Sequence, residues 1–378
     1  MPDDVSHYKC PVCGAPVSHV PGSSLMHCDY CGSDSPVSSF AESQDKKGYD
    51  WKDGEAAKVS ASGGREYVCK SCGASIQSFD DTFTTSCPYC GNNVSVHEET
   101  EGGVRPNLIV PFELKEDEIR SRISDFLKGK KLLPSGFASV AKSGELKGVY
   151  VPFWLFDCSA DGSVFLHAEK ETSETRTVPA ERRPSSSASS AHGPANQVGP
   201  SSQARQQTVT KILHYRLERE GHFDFSRLPV DASKHFDDDA MDALEPYDYG
   251  KIADFDPLYF AGCLAEKFTS TPDEETSRTY SKVKEGVFDY FKSKETGYSS
   301  ISIEKDDMKI ETSDVKYTML PVYALNFSFK GEKHQIYANG QTGRIAADLP
   351  VDAGKSWKYA LLTFLPVFAL AFMICLFI

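Results

Sequence analysis

A cysteine spacing that occurs twice constrains this chain more than any other feature. Cys10, Cys13, Cys28 and Cys31 return, each shifted by 59 positions, as Cys69, Cys72, Cys87 and Cys90. Both sets read Cys-x2-Cys-x14-Cys-x2-Cys, and a glycine follows the second cysteine of every pair, at Gly14, Gly32, Gly73 and Gly91. A Cys-x-x-Cys turn brings two thiolates within reach of one ion, and the glycine lets the backbone double back. Two such turns supply four sulfurs, the donor set of tetrahedral zinc. The spacer is long enough for a β-hairpin joining the two knuckles. The expectation is two zinc ribbons, at 1–40 and 66–103, separated by a polar linker at 41–65. They would hold two structural Zn2+ ions.

The residues before Cys10 show neither the basic nor the apolar region of a secretory signal. A reducing compartment is therefore expected, with paired cysteines acting as ligands rather than disulfides. Four sulfurs close a zinc shell, so no chemistry is expected at the metal. His7, His19 and His27 lie near the first set and are expected to face solvent. Cys158 and Cys263 read as small buried hydrophobes.

Charge sets the next limit. The chain carries 41 Lys and Arg against 54 Asp and Glu, a net charge of −13. Residues 1–103 hold 7 Lys and Arg against 15 Asp and Glu, a balance of −8 before any thiolate is counted. Phosphate backbones are bound by clustered cations, so nucleic acid is not the expected partner. A ribbon that binds nucleic acid while tethered to the membrane stands as the alternative.

One segment departs from the polar average. Residues 359–378 carry no charge, and as a helix they would extend roughly 30 Å, the thickness of a bilayer core. Lys355, Trp357, Lys358 and Tyr359 stand where interfacial anchors belong. Pro366 is tolerated in a membrane helix. The expectation is a transmembrane tail anchor at 355–378, with the preceding body in the cytoplasm.

Between ribbons and tail, a pattern recurs more faintly. Val151-Pro-Phe-Trp-Leu-Phe156 resembles Leu320-Pro-Val-Tyr-Ala-Leu325, and Leu228-Pro-Val-Asp-Ala232 returns as Leu349-Pro-Val-Asp-Ala353. An amphipathic helix is expected before each Pro-containing strand, over 116–128 and 281–294. Asn339-Gly340 and Thr342-Gly343 mark a hairpin between 334–338 and 344–347. The fold expected for 104–354 is an α+β body built from a duplicated helix–strand–hairpin module. Its copies would run over about 104–235 and 257–353, with a Ser/Pro-rich disordered insertion at 179–207.

No Walker loop, Gly-x-Ser-x-Gly, His-Glu-x-x-His or dinucleotide fingerprint is present in the sequence. Asp237, Asp238 and Asp239, and also Asp248, Asp254 and Asp256, read as solvated turns rather than a cation site or an acid/base pair. An enzyme is not expected.

Taken with the cysteine knuckles, Tyr150-Val-Pro-Phe-Trp154, Glu245-Pro-Tyr-Asp-Tyr249, Leu320-Pro-Val-Tyr323, Asn339-Gly-Gln-Thr-Gly343 and Asp348-Leu-Pro-Val-Asp352 resemble a bacterial family. Its members are membrane-anchored TFIIB-type zinc-ribbon-containing proteins, sometimes given a primosomal-helicase label. The resemblance covers roughly 8–50 and 66–375, and the insertion at 179–207 departs from it. It implies a part in envelope stress, beside phage-shock-protein-A-like or stomatin/prohibitin (SPFH) partners. Sequence and resemblance together lead to the expectation of a non-enzymatic adaptor, held in the bilayer by residues 359–378, that recruits a cytoplasmic protein.

Overall fold

The computed structural model of the chain describes residues 9–15, 17–23, 25–40, 49–51, 58–59, 65–68, 73, 75–78, 87, 95–96, 103–178, 205–260 and 263–377. The first cysteine set lies among three short antiparallel strands, β1 (Ser18–His19), β2 (Leu25–His27) and β3 (Asp34–Pro36). Next come β4 (Lys58–Val59), β5 (Arg65–Val68), β6 (Ser75–Ser78), β7 (Ser95–Val96), β8 (Gly103–Val104) and β9 (Leu108–Ile109). The body continues with α1 (Glu116–Lys128), α2 (Phe137–Lys142), β10 (Glu145–Val178), β11 (Arg205–Asp231), α3 (Asp238–Ala243), β12 (Ala253–Asp254) and β13 (Leu264–Glu266). It closes with α4 (Pro272–Lys294), β14 (Ser300–Phe329), β15 (Glu332–Asn339), β16 (Ile345–Ala347) and α5 (Ala353–Phe377).

The chain divides into two compact units, one of residues 1–157, 225–279 and 312–378, the other of 158–224 and 280–311. In the first, a mixed sheet runs β12-β9-β14-β10-β13-β6-β5-β7. Its central strands are apolar almost without alternation: Val149, Tyr150, Val151, Phe153, Trp154, Leu155 and Phe156 are all buried, and so are Met319, Leu320, Val322, Ala324 and Leu325. A strand covered on both faces has this pattern. Each central strand also takes a short parallel neighbour. Val149 and Tyr150 of β10 pair with Leu264 and Ala265, while Thr318 and Met319 of β14 pair with Leu108 and Ile109.

The expected helices form, with one extension. The helix at 116–128 buries Ile119, Ile123 and Leu127. The later helix starts at Pro272 rather than 281, because Thr271 and Glu274 build a capping box ahead of it. The Glu274 carboxylate accepts from the Thr271 N–H at 2.7 Å, the Thr271 hydroxyl accepts from the Glu274 N–H at 3.4 Å, and proline occupies the first helical position. The hairpin at 339–343 is also present: the Asn339 side chain accepts from Gln341 N and Thr342 N and donates to Leu244 O. Gly340 is required there, since a Cβ would fall 2.5 Å from the Phe112 ring.

The two Leu-Pro-Val-Asp segments do different work. Leu228–Asp231 ends β11, and Asp231 is buried against Arg278 at 2.5 Å. Leu349–Asp352 leads into α5, where the Asp352 carboxylate accepts from Lys355 N at 3.0 Å. Arg278 also reaches Asp242 at 2.8 Å and Asp238 at 3.3 Å. Arg278→Met would strand a carboxylate whose side chain is 1% exposed. We expect a loss of about 3–5 kcal/mol of unfolding free energy in chemical denaturation, with much of it regained in Asp231→Leu/Arg278→Met.

Two stretches expected to stand apart from the body pack on it. β6 pairs antiparallel with β13, so the second cysteine repeat contributes strands to the main sheet. Within the expected linker, the Tyr49 ring packs against Trp154, tilted at 46° with centroids 5.0 Å apart, and Trp51 donates to Asp314 at 3.1 Å. The expected insertion falls outside the described residues, apart from the first residues of β11.

In the second unit, β10 alternates strictly: Val164, Leu166 and Ala168 are buried, while Phe165, His167 and Glu169 are partly open. Val283, Val287 and Phe291 of α4 are buried, with Phe291 edge-on to Phe223 at 5.4 Å. Arg219 is paired with Glu295 at 2.5 Å.

Candidate metal centre

Cys10, Cys13, Cys28 and Cys31 converge. Their sulfurs all lie within 4.8 Å of one another, with Cys10 to Cys31 at 3.6 Å and Cys13 to Cys28 at 3.5 Å. Four sulfurs at about 2.3 Å from a central ion form a tetrahedron with edges of about 3.8 Å, so the cluster has the size that zinc–thiolate coordination demands. The two halves are built alike. Gly14 N donates to Cys10 O and Gly32 N to Cys28 O, each at 2.8 Å. Both glycines have positive φ, 76° and 68°, which is what allows the chain to fold back under the sulfurs.

The electrostatics of the four thiols call for a cation. The Ser33 hydroxyl lies 3.1 Å from Cys10 Sγ and 3.0 Å from Cys31 Sγ. That hydroxyl is the main cause of lowered thiol pKa values, Cys10 falling to about 6 and Cys31 also falling. At Cys13 the hydrogen bond involving Ala15 favours the thiolate, but burial and the neighbouring Cys28, Cys31 and Cys10 outweigh it and push the thiol up to about 12. Four thiolates this close cannot all ionise alone, and a bound dication would remove the conflict. The cluster is thus a four-sulfur site able to hold a metal ion, with no position left for a substrate.

Ser33 escaped the sequence reading, although it follows the Cys-Gly of the second knuckle directly. Asn92 holds the matching place in the second repeat. Ser33→Ala should weaken metal affinity by about tenfold, the loss typical of an outer-shell partner, as read by competition with a chromophoric chelator.

The site rests on the body. Cys10, Val17, Met26 and Cys28 form one buried cluster with Leu258, and His19 meets Tyr259 edge-on at 5.1 Å. His19 is therefore buried rather than solvent-facing, because its ring fills the seam between ribbon and body. Burial also lowers its pKa. His27 instead pairs with Asp34 at 2.6 Å. Of the second cysteine set, Cys87 is fully buried within the apolar cluster of the body, and Cys69, Cys72 and Cys90 lie outside the described residues, as does His7.

The acidic candidates serve the backbone. Asp237 accepts from Ala240 N, Asp248 from Gly250 N and Asp256 from Leu258 N. Asp254 pairs along β12 with Leu108. Asp237 and Asp239 also line a groove of about 1080 Å³, with Phe126, His235, His334 and Tyr337. Cys158 is buried and Cys263 half-buried.

Among the described residues one helix, α5, is long and apolar enough to cross a membrane, and none of its apolar window is buried. Trp357 is 71% exposed.

The chain has a relative of nearly the same length. It is 27% identical over 350 residues to a Bacillus subtilis (strain 168) protein named Uncharacterized protein YdjG, covering 92% of this chain and 91% of that one. No family model and no solved structure matches the chain.

Proposed function

We propose that this protein is a membrane-anchored zinc-ribbon adaptor that gathers a cytoplasmic partner protein at the bilayer and makes or breaks no bond. Each four-cysteine set holds one Zn2+, and α5 spans the membrane with the body on the cytoplasmic side. The observation that carries the reading is at the knuckle tips. Val12 and Tyr30 occupy the same place in their Cys-x-x-Cys turns and are 72% and 84% exposed, on a metal shell with no open coordination position. An exposed tyrosine held on a rigid turn makes a good anchor for a protein surface, and the valine of the other turn adds apolar area. The resemblance to the zinc-ribbon family points to a phage-shock-protein-A-like or SPFH-type partner in envelope stress.

The body would be a duplicated module. Supporting this, β9 and β13 each precede a helix by the same interval, and each pairs with the long strand of the other half at the residue three before its proline, Pro321 or Pro152. Such an exchange ties the two halves together and gives the adaptor a stiff frame.

The test is a crosslinked pull-down from membranes. Val12→Asp/Tyr30→Asp should lose the recovered partner while keeping wild-type zinc content and membrane attachment. If neither this variant nor removal of residues 1–103 changes what is recovered, the reading fails.

A further inference from the structure

The second compact unit carries a group of metal-type donors that the adaptor reading does not use. His167 and Glu169 stand two apart on β10 and so share a face, while Leu166 and Ala168 point to the buried side. His214 reaches the same spot from the neighbouring strand β11. His167 Nε2 and His214 Nδ1 are 3.2 Å apart, and Glu169 Oε1 lies 3.6 Å from the first and 3.5 Å from the second.

Hydrogen bonding explains only part of this triangle. A bond between two neutral imidazoles accounts for the 3.2 Å edge. The carboxylate oxygen, however, sits nearly equidistant from both nitrogens and beyond good hydrogen-bond reach of either. A shared ion accounts for all three edges. In their own plane the point equidistant from the three atoms lies about 2.0 Å from each, and a tetrahedral ion just above that plane would lie about 2.1 Å from each, within the range of zinc bonds to imidazole nitrogen and carboxylate oxygen. The carboxylate is also held in place: Ser300 Oγ donates to Glu169 Oε2 at 2.9 Å, leaving Oε1 toward the histidines. Ser299 N and Oγ both donate to the Glu169 carbonyl, at 2.7 and 2.9 Å. Such outer-shell bonds orient ligands in known metal sites.

We propose that His167, Glu169 and His214 form a further metal site, of the two-histidine, one-carboxylate type, for a divalent transition cation such as Zn2+. It differs in kind from the cysteine centre. The donors are nitrogen and oxygen, their side chains are 35–58% exposed, and three of them leave at least one coordination position to water or to an incoming ligand. The ion would exchange readily and would staple β10 to β11 across the hairpin. The site lies within the second unit and does not depend on the adaptor reading.

The test uses the full chain, equilibrated against buffered micromolar free Zn2+ and analysed for bound metal. Wild type should hold one zinc more than His167→Gln/His214→Gln. That ion should remain when a mercurial reagent strips thiolate-bound zinc, and should leave on mild acidification. Glu169→Gln, close in shape to the native side chain, should weaken this ion by at least about tenfold. Lys170→Gln, on the same strand, should leave it unchanged. Cobalt placed in the site of the otherwise zinc-filled wild type should show visible d–d bands without a thiolate charge-transfer band, a readout that needs no variant. Equal zinc in wild type and double variant, or a thiolate band on the added cobalt, would overturn the assignment.

Discussion

Cys28→Ala should cost the protein one thiolate-bound zinc per chain and open the first ribbon while leaving the body folded. The strands β1, β2 and β3 have two or three residues each, too few to bury a core of their own. What holds them is the four-sulfur site and one small contact with the body: Met26 and Val17 against Leu258, His19 against Tyr259, and Gly22 N donating to Phe112 O at 2.8 Å. Structural zinc in a peptide of this kind contributes on the order of 10–16 kcal/mol, far more than a contact of that size can replace. The alanine also removes a buried side chain from the contact itself, since Cys28 is 0% exposed. Residues 9–40 should then become open to protease, and Leu258 and Tyr259 should be uncovered. Elemental analysis with limited proteolysis reads both effects. An unchanged zinc content, or a wild-type cleavage pattern after zinc loss, would mean that the sulfurs do not hold the ribbon together.

Legibility in the sequence followed the range of the interactions. The cysteine centre was readable because its donors come in two local turns, each marked by Cys-x-x-Cys-Gly, and because a repeat at constant spacing rarely arises by chance. Helix α1 was readable for a similar reason: Ile119, Ile123 and Leu127 recur every fourth residue, each about one turn from the next. Readings failed where partners lie far apart in the chain. Nothing near His19 announces that Tyr259 will cover it. Tyr49 looks like part of a polar linker until it meets Trp154, more than a hundred residues later. His167 and His214 were missed for the same reason. Their meeting depends on the register between β10 and β11, across a Ser/Pro-rich stretch whose length says nothing about strand pairing. Some local signals were simply overlooked. Thr271-Pro-Asp-Glu274 is a helix start, and Lys330-Gly331 is a two-residue hairpin with both φ values positive, at 52° and 87°.

Removing residues 359–378 should move the protein from the membrane pellet to the soluble fraction, and a single Phe368→Arg should weaken its attachment measurably. Along α5, Leu361, Leu362, Phe364, Leu365, Val367, Phe368, Phe372 and Met373 are each at least half exposed, with no body surface covering them. So large an apolar face on a soluble chain would drive aggregation, whereas a bilayer satisfies it along its whole length. The foot of the helix is fixed to the body. Asp352 N donates to Leu132 O at 2.9 Å, and Lys355 Nζ donates to Leu133 O at 2.5 Å. Lys130 and Lys131 share a groove with the exposed Leu132 and Val351 at this foot, and Lys355, Trp357 and Lys358 follow on the first turns of α5. Cations and an indole at one end of an apolar helix match a lipid headgroup layer. An arginine at the middle of such a span costs about 2.5–3.5 kcal/mol, enough to lower the inserted fraction without abolishing it. Carbonate extraction separates the alternatives: an inserted helix stays in the pellet at high pH, while a helix lying against another protein is released. Wild type recovered in the carbonate supernatant would rule out the span, and with it the proposal that the protein acts as an adaptor by confining a partner to the membrane plane.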